Sequence, residues 1–250
     1  FTKADMSKAV AGTGPNLDIE WISAANAATE SAKLPEFLSP ATTFRLRLPD
    51  LLPGSVERLL YIDADTIVRR PIDPLGDTVL GDGLVGAVRD PASPWAGMSL
   101  PWRELDVDPS VPYFNAGVIL VPLDRWRQDS VGPRAFELLH THQFRWGDNC
   151  ALNTIANGRW ARLGAEWNMQ AGHLSDQRPI WAVEPVDALD RAAKDPSIVH
   201  FNNPAVNRPW NATCTNPFAG EWRELLQHTP WAGWVPPQPT LTGRANNRLR

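Results

Sequence analysis

The chain has 250 residues, of which 43% are hydrophobic and 21% are charged, and a net charge of −4. This length is sufficient to bury the core of one large domain. The acidic balance predicts no nucleic-acid partner, because proteins that bind nucleic acid carry a basic surface. The longest apolar runs, such as AGVILVPL, are too short to cross a membrane, so we expect no transmembrane segment.

The cysteine content is too low for a disulfide framework. Cys150 and Cys214 are the two cysteines, and they do not form the CxxC pattern of a metal site. No signal peptide opens the sequence. We therefore expect a cytoplasmic protein in which both thiols stay reduced.

The hydrophobic pattern alternates between strands and helices along the chain. Several predicted strands are continuously apolar, which is typical of strands buried on both faces of a sheet. A basic, proline-rich tail follows the last helix. The pattern predicts strands at 17–23, 57–63, 84–90, 114–123 and 197–201, and helices at 2–11, 41–48, 123–142 (interrupted near Gly132 and Pro133), 148–157 and 216–228.

This alternation predicts an α/β domain with a mostly parallel central sheet flanked by helices. We place the domain at 1–234 and a loose tail at 235–250. Ligands of such sheets bind beyond the carboxyl ends of the strands. Asp63 and Asp65 follow one predicted strand and His200 lies near the end of another, so we expect the site there.

Several familiar motifs are absent or misplaced. The segment GDGLVG at 81–86 matches the spacing of a dinucleotide fingerprint, but it precedes a predicted strand instead of following one, so it is interpreted as a turn. The sequence contains no P-loop, HExxH or GxSxG pattern. Serine-hydrolase and zinc-protease functions therefore have no support.

The segment RLLYIDADTIV places two carboxylates, Asp63 and Asp65, at the end of an apolar strand. A strand that simply ends in a turn accounts for aspartates at this position. Two carboxylates at this spacing can also share one hard divalent cation with substrate phosphates. The segment alone leaves both interpretations open.

Four segments together resemble glycosyltransferase family 8, in the order that the family shows: LLYIDADTIVRRPIDPL, PYFNAGVILVPLDRWR, DNCALN and IVHFNNPAVNRPW. This family includes glycogenin and the bacterial lipopolysaccharide galactosyl- and glucosyltransferases. The resemblance covers about residues 1–222. It implies a single domain of the GT-A fold that uses Mn²⁺ (or Mg²⁺) and a UDP-sugar and transfers the sugar with retention of configuration.

The resemblance implies three metal ligands. Asp63 and Asp65, separated by Ala64, match the D-x-D motif, and the first also approaches the nucleotide ribose. His200 matches the third ligand. A satisfied histidine on a late strand is the alternative for His200, but the nearby RPWN resembles a further block of the family and favours the ligand.

Other residues match positions that contact the donor. Asn115 and Ala116 match the segment that lines the donor sugar, although a buried strand with a bulge at Gly117 fits the same residues. Arg45 matches an arginine that touches the sugar or phosphates, with a solvated helix charge as the alternative. Arg208 stands where relatives have a lysine that contacts the diphosphate.

The DNCALN segment is the candidate catalytic segment and departs from the family. Asp148 keeps its place, Asn149 replaces a glutamine near the anomeric carbon, and Cys150 replaces an aspartate. An amide is a poor nucleophile, so we favour front-face substitution in which the leaving phosphate oxygen takes the acceptor proton. Double displacement through Asp148 is the alternative.

Relatives begin with a strand and helix that bind the uracil base, whereas this sequence begins at what resembles the following helix. We expect that the sequence omits them. The predicted function is therefore a metal-dependent retaining hexosyltransferase acting on a glycan, a lipid-linked sugar or a small-molecule acceptor. The alternatives are a non-catalytic relative that binds sugar nucleotides and a metal-dependent sugar-phosphate nucleotidyltransferase.

Overall fold

The chain forms two compact units. The central unit spans 22–200, and the terminal unit combines 1–21 with 201–250. The domain boundary predicted at residue 234 stays a prediction. The computed structural model describes residues 7, 19–22, 34–36, 40–175, 183–202 and 205–237.

Some predicted elements fall largely outside the described residues. The helix predicted at 2–11 does so apart from position 7, and the tail predicted at 235–250 does so apart from 235–237. The described part of the strand predicted at 17–23, residues 19–22, has no regular secondary structure.

The described residues of the central unit alternate between strands and short helices. Short 3-10 helices occur at Pro40–Leu46, Ala96–Met98, Ala165–Trp167 and Ala171–Leu174. The α-helices are α1 (Leu48–Leu51), α2 (Asp73–Gly76), α3 (Leu123–Gln128), α4 (Val131–Thr141), α5 (Asp148–Ala156) and α6 (Val186–Lys194). The strands are β1 (Arg58–Ile62), β2 (Thr66–Val68), β3 (Gly86–Arg89), β4 (Phe114–Pro122), β5 (Ala161–Arg162), β6 (Met169–Gln170) and β7 (Ile198–His200).

One sheet has the strand order β1-β4-β3-β5. Strand β4 runs antiparallel to both β1 and β3, while β3 and β5 are parallel. The α/β class is as predicted, but the prediction of a mostly parallel sheet is wrong for these strands. The physical reason is that a strand buried on both faces shows the same apolar pattern in either direction.

Strand β4 lies at the centre of this sheet and of the core. Its residues are buried except for Asn115 and Pro122, which are half-buried. The β3–β4 register shifts between Ala87 and Val88, whose partners are Ile119 and Asn115. The irregularity takes in Gly117, where the sequence predicted a bulge.

The helix predicted at 123–142 is two helices, α3 and α4. The break falls at Asp129 and Ser130, slightly before the predicted Gly132 and Pro133. Ser130 has a φ of 51°, a left-handed conformation that ends the regular helical path. Pro133 then sits in the first turn of α4, where a missing backbone N–H is tolerated.

A second sheet has the order β2-β7-β6, with β2 antiparallel and β6 parallel to β7. Residues 63–65 connect β1 of the first sheet to β2 of the second. The predicted carboxylates therefore lie where the chain passes from one sheet to the other.

The segment 81–85 forms a turn before β3, as the sequence predicted.

The described part of the terminal unit contains a 3-10 helix at Ala205–Asn207 and helix α7 (Ala219–Gln227). Neighbouring aromatic rings link its segments, with centroids 6.4 Å apart for Phe201 and Trp210, 5.9 Å for Trp210 and Trp222, and 6.2 Å for Trp222 and Trp234. Such ring contacts add to the burial of apolar surface.

Cys150 is buried in the central unit and Cys214 is half-buried in the terminal unit, and both are free thiols in the structure. Among the residues that the structure describes, no helix combines the length and apolar character that a bilayer crossing requires.

Candidate active site

The turn between β1 and β2 holds the two predicted carboxylates. The N–H of Asp63 donates to the carbonyl oxygen of Gly117 at 2.7 Å, and the hydroxyl of Thr66 donates to the carbonyl oxygen of Asp63 at 2.9 Å. These bonds fix the backbone on both sides of the turn. Ala64 is exposed, whereas the side chains of Asp63 and Asp65 are 22% and 30% exposed.

Strand β7 brings His200 to this turn, because His200 pairs with Thr66 in the β2–β7 register. Nε2 of His200 lies 3.1 Å from Oδ1 of Asp65 and 3.8 Å from Oδ2 of Asp63. Potential ligand atoms of the three residues all lie within 4.8 Å of one another. The structure thus brings the three predicted metal ligands together. Two carboxylates and one imidazole fit a divalent cation such as Mn²⁺.

Arg45 connects this turn to the start of α5. Its Nη2 lies 3.2 Å from Oδ1 of Asp63, its Nε lies 2.7 Å from Oδ2 of Asp148, and its Nη1 donates to the carbonyl oxygen of Ala116. Tyr61 donates to the same Oδ1 of Asp63 at 2.6 Å. The protein therefore occupies one oxygen of Asp63 and leaves the other facing the histidine.

The charge of Arg45 is secured by its surroundings. Burial acts to lower the pKa of the guanidinium, but the carboxylates of Asp148 and Asp63 outweigh it and raise the pKa above its usual range. The guanidinium also lies 4.7 Å from the ring centroid of Tyr61, close enough for a cation–π contact. Arg45 is a permanent buried cation, not the solvated helix charge that was its alternative.

Asp148 is the first residue of α5 and is 2% exposed. Its Oδ2 lies 2.7 Å from Nε of Arg45, and the backbone N–H groups at the start of the helix act to lower the pKa of its carboxyl group. Burial raises the pKa of Asp148 to about 6, against the lowering effect of Arg45 and with a further rise from Asp63. At neutral pH it is a buried anion paired with a buried cation.

The side-chain amide of Asn149 is engaged within the protein. Its Oδ1 accepts the N–H of Ala116 at 2.5 Å, and its Nδ2 donates to the hydroxyl of Tyr113 at 2.8 Å and to the carbonyl oxygen of Phe114 at 3.2 Å. Asn149 therefore holds the irregular start of β4, which includes the predicted donor residues Asn115 and Ala116. This gives it a positioning role, whatever it contacts in a complex.

Three polar residues near this group were not predicted. Asp90 follows β3 and accepts from Nδ2 of Asn115 at 3.2 Å, and the strand-end rule that found Asp63 could have found it. Asn168 is fully buried between His200 and Asn115. Neither Asn168 nor Tyr61 lies in a motif or spacing that could have identified it.

Arg208, the predicted diphosphate contact, belongs to the terminal unit and is half-buried there. Its hydrogen bond in the described residues is a backbone one, in which its carbonyl oxygen accepts the N–H of Asn211 at 2.9 Å. Its role stays a prediction.

The family model described as "Glycosyl transferase family 8" matches residues 9–214. The match covers more than half of the chain and includes all four segments on which the resemblance was based. The chain belongs to glycosyltransferase family 8. The family prediction is therefore confirmed.

Relatives of this family are distant in sequence. The chain is 26% identical over 199 residues to general stress protein A of Bacillus subtilis, covering 78% of this chain and 67% of that protein. It is 24% identical over 202 residues to the lipopolysaccharide 1,3-galactosyltransferase of Salmonella typhimurium, covering 77% of this chain and 56% of that enzyme. The chain spans between 20% and 67% of the length of such relatives.

Solved glycosyltransferases share the fold. A galactosyltransferase LgtC crystallised with donor and acceptor sugar analogues superposes with a TM-score of 0.69 at 23% identity, covering 92% of this chain and 82% of that one. The bifunctional glycosyltransferase WbbM superposes with a TM-score of 0.65 at 24% identity, covering 78% of this chain and 36% of that one. These likenesses confirm the predicted GT-A class.

Proposed function

We propose that the protein is a retaining glycosyltransferase that moves a hexose from a UDP-sugar to an acceptor hydroxyl with the help of Mn²⁺ or Mg²⁺. The observation that carries the proposal is the cluster of Asp63, Asp65 and His200 in a chain of this family. The acceptor is a glycan, a lipid-linked sugar or a small molecule.

Asp63, Asp65 and His200 would hold the cation. When bound, a divalent cation neutralises negative charge on a diphosphate leaving group, as a Lewis acid does. Asp63 is suited to this because Tyr61 and Arg45 bind its Oδ1 and leave Oδ2 facing His200. The carboxylate is thus oriented before any ligand arrives.

Asp148 and Arg45 supply fixed charges behind the cluster. Positive charge develops on the sugar ring as the bond to the diphosphate breaks, and a buried carboxylate stabilises such charge because little water screens it. Arg45 keeps Asp148 ionised and in one place through the 2.7 Å contact of its Nε. Asn115 and Ala116, positioned by Asn149, would line the sugar.

Front-face substitution accounts for retention with these residues. The acceptor oxygen forms its bond to the anomeric carbon on the face from which the diphosphate leaves, and the acceptor proton passes to the departing phosphate oxygen. A covalent route would require Asp148 as nucleophile, but its carboxylate is buried and already paired with the guanidinium of Arg45. These contacts favour an electrostatic role for Asp148.

The test is to incubate the protein with UDP-hexoses, Mn²⁺ and candidate acceptors and to analyse the products by NMR and mass spectrometry. Metal-dependent release of UDP with an α-linked product from an α-linked donor is expected. A β-linked product contradicts retention. Binding of UDP-sugars without any transfer or hydrolysis favours the non-catalytic alternative. Formation of UTP and sugar 1-phosphate from the UDP-sugar after addition of pyrophosphate favours a nucleotidyltransferase.

A further inference from the structure

A chain of polar side chains leads from His200 away from the β1–β2 turn. Nδ1 of His200 lies 3.0 Å from Oδ1 of Asn168, Nδ2 of Asn168 donates to Oδ1 of Asn115 at 3.0 Å, and Nδ2 of Asn115 donates to Oδ2 of Asp90 at 3.2 Å. We propose that Asn168 is a positioning residue that keeps the proton of the neutral His200 imidazole on Nδ1, so that Nε2 is bare for a divalent cation. The cation itself rests on the function proposed above.

The direction of this chain is set by groups that can act in one way only. A backbone N–H can only donate, and the N–H of Gly117 points to Oδ1 of Asn115 at 2.9 Å. The carboxylate of Asp90 accepts the N–H groups of Ala92 and Ser93 at 2.9 and 2.8 Å through one oxygen and faces Nδ2 of Asn115 with the other. Both ends therefore require the amide of Asn115 to point its oxygen toward Gly117.

The orientation of Asn115 then decides that of Asn168. Its oxygen needs a donor from Asn168, so the Asn168 nitrogen must face it and the Asn168 oxygen must face His200. An oxygen facing Nδ1 at 3.0 Å requires that Nδ1 carry the proton. Flipping the Asn168 amide would place its oxygen against the oxygen of Asn115, and Asn168 is 0% exposed, so this repulsion would be costly.

The proton of the His200 imidazole could also lie on Nε2, and Asn168 is needed to favour Nδ1. Nε2 lies 3.1 Å from Oδ1 of Asp65, so a proton on Nε2 would bind that carboxylate and block the position of a cation. A proton on Nδ1 instead leaves two acceptors, Nε2 and Oδ1, facing one another, which favours a cation between them. A histidine ligand whose other nitrogen donates to a fixed acceptor is the arrangement found in metal sites generally.

The ring also has little freedom to escape this choice. A Cβ at position 117 would overlap Cε1 of His200 and lie 2.6 Å from Nδ1. The imidazole therefore packs directly against the backbone of Gly117, and His200 is 3% exposed. Packing against Gly117 therefore fixes the orientation of the His200 ring, and the hydrogen bond to Asn168 is needed to fix its tautomer.

The tautomer can be measured in the metal-free protein. The chain has five histidines, and His173 is an internal reference of the opposite kind, since its Nδ1 accepts the N–H of Gln170 at 3.0 Å and its proton must lie on Nε2. Long-range ¹⁵N–¹H spectra recorded at alkaline pH should show the proton of His200 on Nδ1 and that of His173 on Nε2. A spectrum with the His200 proton on Nε2 in the wild-type protein would overturn the proposal. This test needs no variant to fold.

Metal binding gives the second readout, with two substitutions of nearly equal size. Asn168→Leu removes the acceptor, so we expect the proton to move to Nε2 and Mn²⁺ to bind about 10–100-fold more weakly. Asn168→Asp keeps an acceptor for Nδ1 but places an oxygen against Oδ1 of Asn115, so we expect it to retain more Mn²⁺ affinity than Asn168→Leu. Electron paramagnetic resonance titration with Mn²⁺ alone, without nucleotide, measures both.

The possible failures are distinguishable. Equal losses in Asn168→Leu and Asn168→Asp, or unchanged binding and tautomer in a folded Asn168→Leu, would mean that Asn168 only supports the packing. A wild-type protein whose Mn²⁺ binding is absent, or is insensitive to Asp65→Ala, would instead contradict the proposed function. The ¹⁵N spectra of the metal-free protein still decide the role of Asn168 in that case.

Discussion

The two groups of predicted site residues in the central unit differ in how far the protein itself uses their polar atoms. In the β1–β2 turn, the side chains of Asp63 and Asp65 are 22% and 30% exposed and face a histidine nitrogen. At the start of α5, the side chain of Asp148 is 3% exposed and paired with Arg45, and both polar atoms of Asn149 have partners in the protein.

This difference separates residues that bind a ligand from residues that support the folded structure of the site. A half-exposed carboxylate such as that of Asp65 can bind a ligand at its solvent-facing side, so its removal should affect binding more than folding. A buried, paired group is part of the folded structure, and its removal should alter stability together with rate. The predictions that follow test this division, from the largest expected effect to the smallest.

Asp65→Ala should abolish Mn²⁺-dependent binding of UDP, because it removes a half-exposed carboxylate of the cluster. We expect little change in thermal stability, since the site is at the surface. Isothermal titration calorimetry with UDP in Mn²⁺ and in EDTA measures the effect. Asp82→Ala, at an exposed carboxylate in the turn before β3, is the matched control. Unchanged UDP affinity of Asp65→Ala in Mn²⁺ would show that the site is misassigned.

Asp148→Asn should lower kcat by about 10²–10³-fold with little effect on UDP affinity, because it removes a buried charge that stabilises the transition state. Asp148→Ala should be at least as severe in rate. It should also destabilise the fold, because it removes a buried side chain and one of the two carboxylates that pair with Arg45. Steady-state kinetics and urea denaturation separate the two effects. A rate within about threefold of the wild type in the Asn variant would exclude an electrostatic role.

The pH dependence should move activity and stability in opposite directions. Burial raises the pKa of Asp148 to about 6, above the value of about 3.9 for an unfolded chain. Between these values the native state binds more protons, so protonation of Asp148 stabilises the fold as pH falls while it removes the anion needed for transfer.

We therefore expect kcat to decrease below about pH 6 in the wild type. The stability of the wild type relative to Asp148→Asn should rise as the pH is lowered from about 6 to about 4. Rate profiles and denaturation curves of both proteins over this range provide the measurement. Parallel profiles in the two proteins would assign the titration to another group.

Asp63, Asp65 and His200 could be predicted as metal ligands because the segments that contain them resemble segments of the family. Asp63 and Asp65 end an apolar strand at a recognisable spacing, and His200 lies in a further segment of the family. The direction of β4 could not be predicted, because its apolar residues read alike in both directions. The roles of Tyr61 and Asn168 depend on contacts between distant segments, which no spacing within one segment encodes.

The structure indicates a different role for Asn149 from the one that the sequence analysis predicted. The family resemblance implied an amide near the anomeric carbon. In the structure that amide connects α5 to the start of β4 through hydrogen bonds to Ala116, Tyr113 and Phe114. If its role is to position, then removing it should loosen the donor segment without removing a reacting group. Substitution of Asn149 should therefore have the smallest effect on the rate of transfer.

Asn149→Ala should therefore slow transfer only several-fold, and it should destabilise the fold by about 1–3 kcal/mol because buried partners lose their hydrogen bonds. Asn149→Asp is the sharper variant, since it can still accept from the N–H of Ala116 but would oppose the carbonyl oxygen of Phe114 with a carboxylate. If Asn149 is a positioning residue, Asn149→Asp should also lose rate, and mass spectrometry of enzyme quenched during turnover should show no sugar adduct. If Asn149→Asp is instead faster and accumulates a sugar adduct at position 149, this side chain reaches the anomeric carbon. The division between half-exposed residues that bind ligands and buried residues that support the site would then be wrong for position 149.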